Sequence, residues 1–404
     1  MRLGIYMDLV YRSDGRDLWT DQAVIHFATK LASQMSEIVL IGRLDPTPGT
    51  APYRISESQV RLLALPHYPS VASVASLVGG VRRSCAAFAA ELDRLDAVWL
   101  FGPHPLSILF ACIARRRGVP VFLGVRQDFV RYIRERLPSR RWLWAVSVAH
   151  LLERAYRLLA RSMPTVTVGD DLAARYRSGG APVLATGFSL LSADEVVSVE
   201  DAVQKPWEGE LRLFNVGRLD PEKNPTLLPD VLARLRAEDP RWRLGIAGEG
   251  PMSDAVRRRA EELGVSDAVE LLGYVPNGPR LWAEYRRSHA FLHVSFTEGL
   301  PQVLWEAQGA GLPIVATDVG GIGAALQDGA SALLIPPGSA EAAVAAIERL
   351  SADEALRRRL ISAGLEQARL ETLDVHVDRI ARFIRANVGE PSPAVPAAGP
   401  ADPS

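Results

Sequence analysis

Cysteine is scarce in this chain: 2 in 404 residues. Cys85 and Cys112 both fall in apolar helical contexts, which reads as small core residues in a reducing compartment rather than a disulfide framework. Long hydrophobic runs are missing as well. No stretch approaches the roughly 20 apolar residues of a membrane-spanning helix. There is no excess charge of either sign, since 46 Lys and Arg against 47 Asp and Glu leave a formal net charge of -1. No global field therefore points to nucleic acid or to an anionic membrane. Met1-Arg2-Leu3-Gly4-Ile5-Tyr6 runs straight into a strand pattern without a leader signature, so the expectation is a cytoplasmic protein. No internal repeat of solenoid length occurs.

With 48% hydrophobic and 23% charged residues, the chain is an ordinary globular sequence, long enough for two domains. Its first half alternates short apolar runs with helical stretches, the pattern of βαβ units on a parallel sheet. Strands are expected at Leu3–Met7, Glu37–Ile41, Ala97–Phe101, Val119–Val125, Thr165–Val168 and Pro182–Thr186, with helices such as Asp21–Ser33 and Leu106–Arg117 between them. A polar, acidic segment then intervenes, and the alternation restarts. The second half predicts strands at Leu211–Val216, Trp242–Ala247, Val269–Leu272, Phe291–Val294 and Ile314–Ala316. Helices are expected at Pro225–Arg236, Met252–Leu263, Pro301–Gly309 and Ala340–Leu350. The resulting division is an N-terminal domain at 1–191, a linker at 192–208, a C-terminal domain with closing helices at 209–389, and a disordered Pro/Ala-rich tail at 390–404.

Chemistry concentrates in Glu298-Gly299-Leu300-Pro301-Gln302-Val303-Leu304-Trp305-Glu306. The apolar run ending at Val294 reads as a buried strand end, and Pro301 suits the first position of a helix. A strand, a glycine turn and a helix N-terminus form a ready anion site, because free N–H groups and the helix dipole both favour phosphate. Glu298 sits in that turn, and Glu306 follows about two helical turns later on nearly the same face. An amphipathic helix with no such role would place an apolar residue at one of the two.

Other loops follow strands in the same half. Gly217-Arg218-Leu219-Asp220-Pro221-Glu222-Lys223 offers one planar fork and one flexible point charge, the means to grip a diphosphate. A solvated loop with surface cations is the plain alternative, and by itself the stronger one. Gly248-Glu249-Gly250-Pro251 is a glycine-rich turn, weak alone. Gly273-Tyr274-Val275 can present backbone groups to a nucleobase edge. Thr317-Asp318-Val319-Gly320-Gly321 reads as a flexible loop. No Asp-x-Asp lies near these loops and no His/Cys cluster has ligand spacing, so no metal site is expected.

Taken together and in order, these segments resemble glycosyltransferase family 4, the retaining glycosyltransferases of GT-B fold. The resemblance is carried by the G-R-x-x-x-x-K loop, the G-x-G-P turn, L-G-Y-V-P, E-G-L-P with E-x7-E, and P-I-V-A-T-D-x-G-G. It covers about a third of the chain, Leu211 to about Pro337. It implies an α/β architecture of two Rossmann-like doubly wound domains facing across a cleft. It also implies a metal-independent hexosyltransferase with no cofactor and a nucleotide sugar as co-substrate. Arg218 and Lys223 would hold the diphosphate with Gly217 and Gly248 beside them. Glu298 would bind the transferred sugar, with the backbone of Gly299 and Leu300 nearby. Glu306 would accept the ribose hydroxyls, and Gly273, Tyr274 and Val275 would meet the base. A phosphorylase or sugar-nucleotide epimerase of the same fold is the rival enzyme. A catalytically inactive scaffold that binds glycan or nucleotide is the rival from another class.

The first half resembles the family mostly in architecture, as suits a domain for a variable carbohydrate or lipid-linked acceptor. Gly15 could let backbone approach the diphosphate or simply make a turn at Asp14-Gly15. His104, between a strand and a helix, could bind a sugar hydroxyl or act as base, or be structural. Where related sequences carry a histidine, this chain has Arg126. Arginine moves no proton at neutral pH but can fork onto an anion or pair with Asp128. Trp142 to Leu152, flanked by arginines, reads first as a core helix. Peripheral contact with the inner face of the cell membrane is the second reading.

Overall fold

The computed structural model describes residues 1–55, 60–66, 74–135, 142–177, 179–187, 189–299 and 301–388. The chain forms two compact units, Met1–Gly187 with Val377–Ser404, and Phe188–His376. The first unit holds β1 (Arg2–Ser13), β2 (Leu18–Thr20), β3 (Glu37–Leu44), β4 (Tyr53–Ile55), β5 (Val60–Leu65), β6 (Ala97–Gly102), β7 (Val121–Val125), β8 (Thr165–Val168) and β9 (Val183–Thr186). Seven of these strands pair in parallel in the order β5-β3-β1-β6-β7-β8-β9. Runs such as Ile38-Val39-Leu40-Ile41 are fully buried, because helices cover both faces of a parallel sheet and leave no side for polar alternation. Phe88 and Phe110 stack at 4.2 Å between ring centroids inside one of the helix–sheet layers.

The second unit has β10 (Leu211–Val216), β11 (Trp242–Ala247), β12 (Val269–Gly273), β13 (Ala290–His293), β14 (Ile314–Thr317) and β15 (Leu333–Ile335). They pair in parallel in the order β12-β11-β10-β13-β14-β15. The strand order reverses between β10 and β13. Connections leave these neighbours in opposite directions, which opens a crevice beyond their carboxyl ends, the usual ligand position in such sheets.

Several expectations need correction. The first unit ends near Gly187 rather than at 191, and residues 192–208 are not a linker. Val199–Val203 is a helix whose Ala202 packs with Ile361 and Leu365 inside the second unit. The C-terminal helices do not all close the second unit. The helix Leu373–Asn387 starts there but belongs to the first unit from Val377 onward. Val377, Ile380, Ala381 and Ile384 are buried, Phe383 meets Phe122 edge to face, and Arg385 donates to the Gln34 carbonyl at 2.5 Å. Cys112 is exposed rather than core, while Cys85 is half-buried. The expected disordered tail lies outside the described residues.

Because this helix is part of the first unit's core, Ile384→Ala should destabilise that unit by about 2–5 kcal/mol. Pulse proteolysis in urea with mass analysis checks this. Cleavage sites between 1 and 187 should open at lower urea, while those between 190 and 370 stay protected. Unchanged protection of the first unit would refute the assignment.

Candidate functional site

The carboxyl ends of β10 and β13 are tied together by Asn215, whose buried amide donates to the Leu292 carbonyl at 2.8 Å. Beyond them lies a cavity of about 210 Å³. Gly217, Arg218, Lys223 and Glu298 line it together with His293, Ser295, Pro301 and Gln302. The structure thus brings the loop after β10 and the Glu298 turn to one place. The helix Gln302–Gly309 starts at the cavity wall. Pro301 is extended (φ -71, ψ 124) and caps that helix rather than opening it, a shift of one residue from expectation.

Glu298 is the centre of the site. Its side chain is 7% exposed, and Lys223 Nζ lies 2.5 Å from Oε1. The same oxygen accepts from Ser295 Oγ at 2.7 Å and lies 3.0 Å from His293 Nε2. Burial alone would push this carboxyl up, but the hydrogen bond from His293 and the charge of Lys223 override it and hold the pKa at about 2. The group is therefore an anion throughout the physiological range. Its contribution to stability is present above the unfolded value of 4.5 and is lost as pH falls through about 2.

His293 and Ser295 belong to this site although the sequence reading passed over them as a strand end. The available signal was a polar pair, three and five residues before Glu298, at the end of an apolar run. The Thr317 hydroxyl donates to the Ser295 carbonyl at 2.7 Å, fixing that backbone. The loop after β14 is not free. A Cβ on Gly320, where φ is +57, would lie 1.9 Å from the Glu298 carbonyl oxygen. Gly321 N–H donates to the Gly299 carbonyl at 3.0 Å. The two loops pack backbone to backbone, which holds the Glu298 turn in place. Leu300 lies outside the described residues.

Arg218 is 55% exposed and pairs with Asp220 and, at 3.4 Å, with Glu222 of its own loop. Gly248 seats the next turn: at φ +154, a Cβ there would lie 1.8 Å from the Gly217 oxygen. Glu249 bridges this turn to the following one by accepting from Tyr274 N–H at 3.1 Å. Gly273 (φ +67) turns the chain there, leaving Tyr274 exposed and Val275 buried. Gly248, Gly273, Tyr274, Val275 and Gly299 are not among the residues lining the cavity.

Glu306 also lies outside it. It is 5% exposed, accepts from the Tyr285 hydroxyl at 2.8 Å and faces Asn277 Nδ2 at 3.4 Å. Burial with no cation beside it pushes the carboxyl up to about 7, against these two hydrogen bonds. The two carboxylates of one motif thus have opposite environments.

In the first unit, His104 caps the helix Pro105–Arg116. Its Nδ1 accepts from Leu106 N–H at 3.3 Å and lies 3.0 Å from the Tyr6 hydroxyl. Nε2 is 3.6 Å from Asp8, which Arg43 also engages at 3.2 Å. Burial lowers the imidazole pKa, with Asp8 opposing and Arg43 adding to the effect. Gly15 is not on a strand–helix loop. β1 runs on to Ser13 and pairs antiparallel with β2, so Gly15 (φ +89) sits at an exposed hairpin tip. Asp14 builds that turn by accepting from Arg16 N–H, Asp17 N–H and Trp19 Nε1, which favours the plain-turn reading. Arg126 is exposed just past β7 and does not pair with Asp128, whose carboxylate takes Arg175 at 2.5 Å.

Two α/β units, each built on a parallel sheet, the second with a crevice at the reversal of its strand order lined by Arg218, Lys223 and Glu298, correspond to the GT-B fold class. Residues 199–367 match the family model of the glycosyl transferases group 1. A D-inositol 3-phosphate glycosyltransferase of Streptomyces bingchenggensis is 31% identical over 197 residues, covering 45% of this chain and 43% of that protein. An exopolysaccharide phosphotransferase of Streptomyces coelicolor is 39% identical over 142 residues, 35% of this chain and 15% of that protein. The chain therefore spans less than half the length of these relatives. The structure of Anabaena HepE in complex with UDP-glucose superimposes with a TM-score of 0.68 at 13% identity, covering 96% of this chain and 100% of that one.

The raised pKa of Glu306 has a measurable consequence. As pH rises from the unfolded value of 4.5 to about 7, the unfolded state sheds a proton that the folded state keeps. Stability should fall across that window and level off above it. Glu306→Gln removes the term, so the variant should gain up to roughly 3 kcal/mol over wild type at pH 8 and little at pH 5. Urea unfolding at both values decides it; an equal difference at the two would refute the account.

Proposed function

We propose that this protein is a retaining glycosyltransferase that moves a hexosyl group from a nucleoside-diphosphate sugar to a carbohydrate or lipid-linked acceptor. The observation that carries the reading is the ionised Glu298 beside Lys223 in a crevice walled by the Gln302–Gly309 helix start. Breaking the anomeric C–O bond puts negative charge on the departing diphosphate and positive charge on the sugar. Arg218, Lys223 and the helix N-terminus meet the first charge, and such electrostatic terms are usually the largest in catalysis. Because these groups supply the compensating charge, the reading calls on no metal ion. Glu298 would hold sugar hydroxyls and ease oxocarbenium character at the anomeric centre. Glu306 would take the ribose hydroxyls and Gly273 to Val275 the base edge. The UDP-glucose named with HepE is consistent with a donor of this kind.

Arg218→Ala and Lys223→Ala should each weaken binding of a nucleoside diphosphate by about 1.5–3 kcal/mol, the worth of a charge-assisted contact. Glu306→Ala should weaken it too. Glu298→Gln should leave it nearly intact while kcat falls, because its interaction matters most in the transition state. Calorimetric titration of UDP, GDP and ADP, paired with donor turnover, checks the set. Unchanged affinity in both cation variants, or equal losses for the two glutamates, would overturn the roles. Formation of a sugar phosphate from free phosphate without nucleotide would favour a phosphorylase instead.

On the acceptor side, Arg126 is the residue we assign to an anionic group on the donor sugar or acceptor. A guanidinium that forks onto a carboxylate or phosphate discriminates against the neutral analogue. Arg126→His should therefore narrow the ratio of kcat/KM between matched acidic and neutral substrates. An unchanged ratio would show that the arginine only holds its loop.

A further inference from the structure

The helix Trp144–Ala160 in the first unit turns its large apolar side chains outward, against the core-helix expectation. Leu151 is 67% exposed, Leu158 61% and Trp144 58%, and Trp142, Leu143 and Val148 are also open to solvent. At 100° per residue, positions 144, 148, 151 and 158 fall within one narrow stripe about 21 Å long. Its buried face is a different one, made by Ala149, Tyr156 and Ala160. Arg154, Arg157 and Arg161, all exposed, form a third stripe on the other side of the apolar one. One helix therefore carries three longitudinal bands: packed, apolar and basic.

Charge around the helix is far from that of the whole chain. From Arg131 to Arg161 the sequence has eight arginines and two glutamates, a local charge of +6 in a protein of formal net charge -1. One of those glutamates, Glu153, is turned inward to accept from the Tyr176 hydroxyl at 2.9 Å. With 17 residues the helix is not a spanning segment; no described helix is long and apolar enough to cross a membrane.

We infer that the Trp142–Leu158 face lies on an anionic lipid surface, with its apolar stripe at the headgroup–acyl boundary and its arginines on the headgroups. Two features select this occupant. The apolar stripe needs a nonpolar medium, and the arginine stripe beside it needs negative charge; an anionic bilayer supplies both in parallel layers. A second copy of this chain would supply the first but would bring +6 against +6. Trp142 and Trp144, whose rings lie 5.6 Å apart, have the mixed character that favours the membrane–water boundary. Arginine stems can run along the apolar layer while their heads stay in the polar one. The inference is independent of the donor-site reading, since none of these residues lines the Glu298 cavity.

The test is flotation of the full chain with vesicles of phosphatidylcholine alone and with about one third phosphatidylglycerol. Wild type should float with the anionic vesicles at least about tenfold better than with the neutral ones, and high salt should weaken that binding. Trp144→Ser with Leu151→Ser, and separately Arg154→Glu with Arg157→Glu, should each lose about tenfold in vesicle binding. Both pairs are at exposed positions, so their thermal transitions should match wild type. No flotation with anionic vesicles, or flotation indifferent to both pairs, would overturn the proposal. So would a concentration-dependent dimer in sedimentation velocity that Leu151→Ser abolishes, which would make the face a self-association surface.

Discussion

The second unit is organised around the cost of burying one carboxylate. Glu298 is nearly removed from water, and an isolated anion there would be expensive enough to protonate or unfold the turn. It stays ionised because two segments deliver three partners to a single oxygen: Lys223 from the loop after β10, and His293 and Ser295 from the end of β13. The loop after β14 then fixes the Glu298 backbone through Gly320 and Gly321. Neighbouring strands of the sheet are thus linked through one charge. Any displacement of these loops leaves a buried ion without compensation, so the geometry of the crevice and the stability of the unit are the same problem.

Glu306 shows what happens when compensation is withheld. It stands on the short helix that follows the Glu298 turn, is buried, and meets a phenol and an amide rather than a cation. Neutral partners satisfy its lone pairs without paying for its charge, so its proton is held to about neutral pH. Environments that push two carboxyl groups apart are how one fold assigns them different tasks. Here the permanent anion faces the cavity and the titrating one sits behind it.

Much of this was legible in the residues. Central strands such as β10, β11 and β13 are predominantly apolar runs ending in glycine or polar turns, and their positions follow from that punctuation to within a residue or two. Arg218, Lys223 and Glu298 were legible because charged groups beside strand ends and glycines seldom serve the core. β2 and β4 were not, since three residues are too few to show a period. Nor was the hairpin that carries Gly15, because β1 continues past its apolar stretch by pairing with β2. His293 was hidden by its place in a buried run, where a histidine looks like one more core residue. The outward face of the Trp144–Ala160 helix was misread because periodicity shows that an apolar stripe exists and not whether the fold covers it. The interior of this helix is made by alanines and one tyrosine, which carry little weight in a hydrophobic pattern.

The helix Leu373–Asn387 also sets an order of events in synthesis. A chain leaves the ribosome from its N-terminus, and units generally fold as they emerge. The second unit is complete in sequence at His376, before the residues that finish the first. The first unit, though begun at Met1, has an open face until Val377, Ile380 and Ile384 arrive. Its apolar surface must wait through the translation of the whole intervening unit, so the earlier-made half is the later one to reach its final state. A ribosome stalled before codon 377 would carry a nascent chain whose N-terminal sheet lacks its last covering element.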